Sequence, residues 1–270
     1  MPSIKPPTPP EAAILPRIPA AKNRLGNWLI YYTLMKPALH AHFARVWVQH
    51  CGPLPQPGAG ALLIYLNHSA WWDLYLTALI DYEILGRRFD SYGMMEEQQL
   101  RRYRFFTWMG AFSVHRSDRH EASRSLRYIS HVLASRNGRA LFLFPQGRIL
   151  PNDQRPLRVY TGLARIAQQV LAQGQAVQLL PITARYEFRG EQRPELFLRV
   201  GPVQRLTPEQ PPRVPALTDQ VAATLTANLD ALREQVVAGD LHQFAVLLRG
   251  RRGIDQTFDA VLRWLKRGRW

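Results

Sequence analysis

Hydrophobic positions along this chain follow two rhythms: short aliphatic runs, and longer stripes that return every three or four residues. Ala61-Leu62-Leu63-Ile64-Tyr65-Leu66, bounded by Gly60 and Asn67, is a run of the first kind and reads as a buried strand. Ala140-Leu141-Phe142-Leu143-Phe144 is another, stopped by Pro145, whose missing N–H cannot continue a central ladder. Val177 to Leu180 and Ile182 to Ala184 read as one strand continuing through Pro181. In order, the pattern predicts a helix over about 20–41, strands over 43–49 and 61–66, a helix over 71–85 and a strand over 88–92. A helix over 95–108, a strand over 111–115, a helix over 119–135 and a strand over 139–144 follow. After them come a helix over 159–173, a strand over 177–187 and a last strand over 197–200. Alternating strands and helices predict an α/β fold whose central sheet is mostly parallel and flanked by helices.

Proline-rich segments divide the chain into three parts. Residues 1–19 are expected to be a disordered tail, and residues 20–205 the α/β domain with an N-terminal amphipathic helix. The stretch Pro208 to Pro215 introduces a C-terminal extension, residues 206–270, with helices near 217–237, 240–249 and 254–268 packed on the same domain.

Directly after the first buried run stands Asn67-His68-Ser69-Ala70-Trp71-Trp72-Asp73. A base and a carboxylate therefore lie where a strand ends, the usual place for chemistry in an α/β fold. On a continuous helix the two would sit about 140° apart and could not meet. They meet only if His68 is in the loop and Asp73 in the first turn after it. The carboxylate then fixes one imidazole N–H and leaves the other nitrogen as a base. The plainer alternative is that His68 caps the helix and Asp73 is a first-turn acid favoured by the helix dipole. Ser69 reads as a local turn residue, because no Gly-x-Ser-x-Gly surrounds it.

Further segments resemble, in order and spacing, the glycerolipid (lysophosphatidic acid) acyltransferase family. Asn67 to Asp73 is similar to the family's first motif, Asn-His-x4-Asp, and Gly110-Ala111-Phe112-Ser113-Val114-His115-Arg116 to its second. Phe144-Pro145-Gln146-Gly147 resembles the third, Phe-Pro-Glu-Gly, and Leu180-Pro181-Ile182 the fourth. The resemblance spans about residues 40 to 205. It implies an acyl group carried as a thioester, on coenzyme A or acyl carrier protein, and a lipid hydroxyl acceptor such as lysophosphatidate. His68 and Asp73 would be the catalytic pair, with no covalent enzyme intermediate and no bound cofactor. It also implies phospholipid biosynthesis at the cytoplasmic face of a membrane.

The acceptor side is less uniform. Arg116 corresponds to the family's phosphate-binding Arg, a role suited to a planar, permanently charged fork. It also lies in the charged run His115 to Glu121, and such runs are usually solvated faces. The third motif departs from the family: Gln146 stands for Glu, and Arg148 comes one residue early, before Ile149. Gln keeps the reach of Glu but loses its charge. Gln146, Gly147 and Arg148 join Arg116 as candidate acceptor-binding residues, and Asn67, Pro145 and Pro181 as structural ones. A changed acceptor, such as another lipid, a glycolipid or a glycosylated terpenoid hydroxyl, is the second reading. A non-catalytic basic membrane-surface binder is the third.

Composition adds a partner. The formal charge is +15 in 270 residues, which calls for an anionic surface or substrate. No nucleic-acid recognition motif is present, so a phospholipid surface is expected and nucleic acid is not. The single cysteine, Cys51, and eight scattered histidines offer no metal-binding pattern. Trp28, Tyr31 and Tyr32 form an aromatic stripe in the first helix, and Trp264 and Trp270 accompany basic residues in the last. Both are candidate membrane-facing elements; the first pattern suits packing on the core equally well, while for the second the bilayer surface is favoured over a dimer contact or mere complementarity to the helix dipole.

Overall fold

A computed structural model describes residues 14–251 and Phe258. Its strands are β1 (Arg45–His50), β2 (Ala61–Leu66), β3 (Asp90–Glu96), β4 (Ala111–Val114) and β5 (Arg139–Leu143), then β6 (Val177–Glu187), β7 (Glu195–Val200), β8 (Gln204–Leu206) and β9 (Ala245–Arg249). Its helices are α1 (residues 24–42), α2 (residues 73–84), α3 (Glu97–Arg102), α4 (Arg119–Ala134), α5 (Gly162–Ala172) and α6 (Val214–Ala238).

All the strands join one sheet in the order β4-β3-β5-β2-β6-β7-β1-β9, with β8 beside β6. The first five in that order are parallel, and the mostly parallel α/β fold expected from the sequence is present. β2 is buried along its whole length because both faces are covered. Leu62, Ile64 and Leu66 point into a core shared with α1 and α2. Ala61, Leu63 and Tyr65 point into the opposite core, shared with α4, α5 and α6.

Pro181 interrupts nothing. β7 pairs with β6 from Ile182 onward and β8 pairs with it up to Leu179, so the pyrrolidine nitrogen faces the gap between the two. The Pro181 carbonyl accepts from the Gly201 N–H within that gap, at 2.9 Å.

Several expectations need correction. Residues 240–249 were expected to be helical, but Ala245–Arg249 is β9, antiparallel to β1. Its apolar run is too short for periodicity to separate helix from strand, and the open edge of β1 decides the matter. Hence β7 is not the last strand. The helix expected over 95–108 breaks at Tyr103 into α3 and a 3₁₀ segment, Arg104–Met109. The packed chain also begins before residue 20: Ile18 is buried, and its N–H and C=O bond the Ser113 hydroxyl and N–H of β4. Residues 1–13, Trp264 and Trp270 lie outside the described residues, as does most of the helix expected over 254–268.

In α1 the aromatic stripe splits. Tyr31 is fully buried, stacked on Tyr82 at 3.8 Å between ring centroids, and donates to Glu83 Oε1 at 2.7 Å. It is a core residue, contrary to its assignment to the membrane-facing side. Trp28 and Tyr32 do face outward, at 50% and 42% exposure, alongside Leu25 and Leu29. The middle of the helix, Ile30–Met35, is π-helical. That widening ends just before Pro37, whose ring would otherwise crowd the preceding turn. No helix of the described residues is long and apolar enough to cross a membrane.

Candidate active site

The carboxyl ends of β2, β3, β4 and β5 bring together residues from three of the four sequence motifs. β2 runs out at Leu66, and α2 starts at Asp73, so His68 is in the loop and Asp73 in the first helical turn. Trp72, not His68, holds the N-cap position, which removes the capping alternative for His68. The loop curls around the carboxylate. Asp73 Oδ2 accepts from His68 Nδ1 at 2.7 Å, from the Ser69 N–H at 2.7 Å and from the Ala70 N–H at 3.0 Å. Its other oxygen, Oδ1, accepts from the Tyr186 hydroxyl at 2.6 Å.

Asp73 is fully buried, and each of these contacts is a donor aimed at one of its oxygens, so its polar atoms are satisfied inside the protein. Tyr186 is held as one of these donors. Burial first, and then the charge and hydrogen bond of Asp73, hold its phenol well above the ordinary tyrosine range, so it remains a donor. With Nδ1 committed as N–H, the lone pair of His68 resides on Nε2. That nitrogen has no hydrogen-bond partner among the described residues, and the side chain is 24% exposed. The imidazole lies against the Phe144 ring, 4.5 Å between centroids, which limits its rotation.

The loop is stitched to its neighbours. Asn67 accepts from the Ala184 N–H at 2.8 Å and donates to the Ala184 carbonyl at 2.9 Å, extending the β2–β6 ladder by one side chain. It also donates to Asn152 Oδ1 at 2.9 Å. Gln146 is buried, and its Oε1 accepts from the His68 N–H at 2.7 Å. Gln146 therefore holds the backbone of His68, and its carbonyl oxygen is already engaged. Gln preserves this bond without the charge of Glu, because an amide oxygen can accept where a carboxylate oxygen would.

Gly147 takes φ +66°, and a Cβ there would stand 2.7 Å from the Tyr160 ring, so both the turn and the packing require glycine. Arg116 Nη1 lies 3.8 Å from the same point, which brings the second motif to the third. Arg116 is 54% exposed and its Nε donates to Glu96 Oε2 at 2.7 Å. Arg148 is exposed and without a hydrogen bond or ion pair among the described residues. Pro181 is on β6, away from the dyad, and supports the sheet. Pro145 is buried and its carbonyl accepts from Tyr160 N–H at 2.8 Å. No group of three or more His, Cys, Asp or Glu side chains among the described residues could hold a metal ion.

Two participants carried no signal in the sequence. Tyr186 is the penultimate residue of β6, between Arg185 and Glu187, where nothing in the sequence marks it, and only the fold brings it 113 residues back to Asp73. Glu96 is likewise an ordinary strand-end acid until β3 and β4 place it beside Arg116. Tyr186→Phe is expected to lower the turnover number roughly tenfold, the scale of one hydrogen bond to a charged group. An unchanged turnover number, with lowered thermal stability, would reduce Tyr186 to a packing residue.

The acyltransferase family model matches residues 20–185 of the chain. Among solved structures, the 1-acyl-sn-glycerophosphate (LPA) acyltransferase PlsC from Thermotoga maritima is similar over 77% of this chain and 81% of that one, at 15% identity and a TM-score of 0.49. No curated protein matches the chain.

Proposed function

Since this chain belongs to the acyltransferase family, we propose that it moves a fatty acyl group from a thioester, on coenzyme A or acyl carrier protein, to a lipid hydroxyl at a membrane surface. The observation that carries this reading is the dyad. His68 Nε2 is open while Nδ1 is locked onto a buried carboxylate held by three further donors. His68 takes the proton of the acceptor hydroxyl as its oxygen attacks the thioester carbonyl. The C–O bond forms, the C–S bond breaks, and the imidazolium returns the proton to the departing thiolate. Asp73 stabilises the imidazolium between the two transfers. Ester and free thiol are the products.

For the acceptor, a lysophosphatidate-like molecule is the first choice, because Arg116 presents a half-exposed guanidinium beside Gly147. A specific contact also favours the second choice, a neutral lipid or glycolipid hydroxyl. Arg116 is already paired with Glu96, with which an incoming phosphate must compete. Membrane access is supported by the exposed face of α1, Leu25, Trp28, Leu29 and Tyr32.

The test offers purified protein long-chain acyl thioesters with lysophosphatidate, lysophospholipids and neutral glycolipids in detergent micelles, following thiol release and ester product. Arg116→Ala is expected to lower kcat/KM with the phosphorylated acceptor about 10–100-fold, the cost of one charge-assisted contact, and to spare neutral acceptors. Equal losses with both would remove Arg116 from acceptor binding. Absence of transfer to every acceptor, from folded protein that binds vesicles, would favour a binding role.

A further inference from the structure

At the opposite end of the sheet, a cavity of about 630 Å³ opens beneath the starts of β3 and β5. It lies roughly 20 Å from the dyad, the length of β2. Lys22, Arg24, Arg87, Arg88 and Arg136 line it, against two acids, Asp81 and Asp90. Those acids do not balance the cations. Asp90 alone is shared by Lys22, Arg136 and Arg139. Asp81 is bonded to the Ser91 hydroxyl at 2.6 Å and lies 3.9 Å from Arg87 Nε.

Unused donors remain. Arg24 has no hydrogen bond or ion pair among the described residues. Arg88 uses Nε on the Leu85 carbonyl, which leaves both terminal nitrogens without a partner. Arg136 is 64% exposed and touches Asp90 through one nitrogen only. The backbone adds a second observation. Arg87 takes φ +55°, the one non-glycine residue among those described to do so. It follows Gly86 at the end of α2, where a second glycine or asparagine would turn the chain without strain. Such outliers persist at ligand clamps. Here the turn sets Arg87 against Tyr82, with its guanidinium 4.6 Å from the ring centroid and donating to the hydroxyl, at the wall of the cavity.

We infer that this cavity is a second ligand site, for a phosphate-bearing anion, separate from the centre around His68. The inference does not rest on the acyl-transfer reading. Forked guanidiniums on several sides suit phosphate oxygens. Phe89, Pro57 and Trp108 line the rest of the cavity, so it accommodates an organic portion as well. The phosphate can belong to a soluble phosphoester or to a phospholipid headgroup, since exposed Trp28 and Leu25 adjoin Arg24 on α1.

The test uses the full chain with two probes. One is inorganic pyrophosphate, followed by calorimetry; the other is phosphatidylcholine vesicles with and without phosphatidic acid, followed by sedimentation. Two variants are compared with wild type. Arg24→Ala/Arg88→Ala/Arg136→Ala removes the unused donors. Gly58→Glu places a carboxylate at the cavity wall, where a Cβ meets nothing within 4 Å, and strips no existing bond. Wild type is expected to bind at least one probe, and both variants at least tenfold more weakly, with circular dichroism and thermal unfolding unchanged. Pyrophosphate binding lost in both variants, with vesicle binding intact, assigns a soluble ligand. Loss of binding to acidic vesicles, in competition with pyrophosphate, assigns a headgroup. Binding of neither probe by wild type, or binding that both folded variants retain, overturns the site.

Discussion

His68→Ala is expected to lower acyl transfer by about 10²–10⁴-fold, the range that a positioned general base supplies. The fold should be unaffected. The imidazole is partly exposed and bonded only through Nδ1, while the hydrogen bonds that shape its loop run through the backbone of residues 68 to 70. Gln146 Oε1 on the His68 N–H, and the His68 carbonyl on the Leu150 N–H at 2.8 Å, survive truncation to alanine. Thiol release with a saturating acceptor measures the rate, and circular dichroism and thermal unfolding check the fold. A variant within tenfold of wild type would mean that the hydroxyl loses its proton elsewhere, and the dyad would then be a structural device.

Asp73→Asn separates charge from shape. The amide oxygen can occupy the place of Oδ2 and go on accepting from His68, Ser69 and Ala70, while the amide nitrogen turns toward the Tyr186 hydroxyl oxygen. Geometry and tautomer are then kept, and what disappears is the negative charge that stabilises the imidazolium. The expected loss is roughly 10²–10³-fold in the turnover number, comparable with removing one electrostatic partner from a preorganised site. KM should change little, since Asp73 is buried beneath the base and reaches neither substrate. A rise in KM at constant turnover would contradict the assignment. Asp73→Ala makes a poor substitute, because it leaves two backbone N–H groups and a buried phenol unpaired and confounds chemistry with folding.

Sequence pattern located the dyad because both members lie within one loop and its helix, where spacing alone limits the geometry. It located β2, β5 and β6 for a similar reason: strands covered on both faces are written as unbroken apolar runs. The edge of the sheet was not legible. Ala245 to Leu248 becomes a strand only because β1 offers it a partner some 200 positions earlier, which no local window contains. Tyr31 and Tyr32 illustrate a finer limit. They are adjacent aromatics on a widened helix, and which one enters the core depends on Tyr82 and Glu83, contributed by α2. Gln146 was read as a departure bearing on the acceptor, whereas its oxygen is used inward, on the backbone of His68. Glu96 and Tyr186 reach the site from other strands, and only tertiary pairing reveals them.

The position of β1 has a consequence for how the molecule is made. It is the first strand among the described residues, yet it lies between β7 and β9, and Arg45 waits 150 residues for its partner Glu195. At about 5–20 residues per second of synthesis, that delay is roughly 8–30 s. Meanwhile β2 to β6, with the loop that carries His68 and Asp73, emerge as a contiguous block able to pair among themselves. The nascent chain thus completes the half that carries His68 and Asp73 first and keeps an unpaired hydrophobic strand, joined to the aromatic face of α1, until the far edge of the sheet arrives. A slow step of this kind leaves the newborn protein most exposed to chaperones, and to membrane, through its N-terminal end.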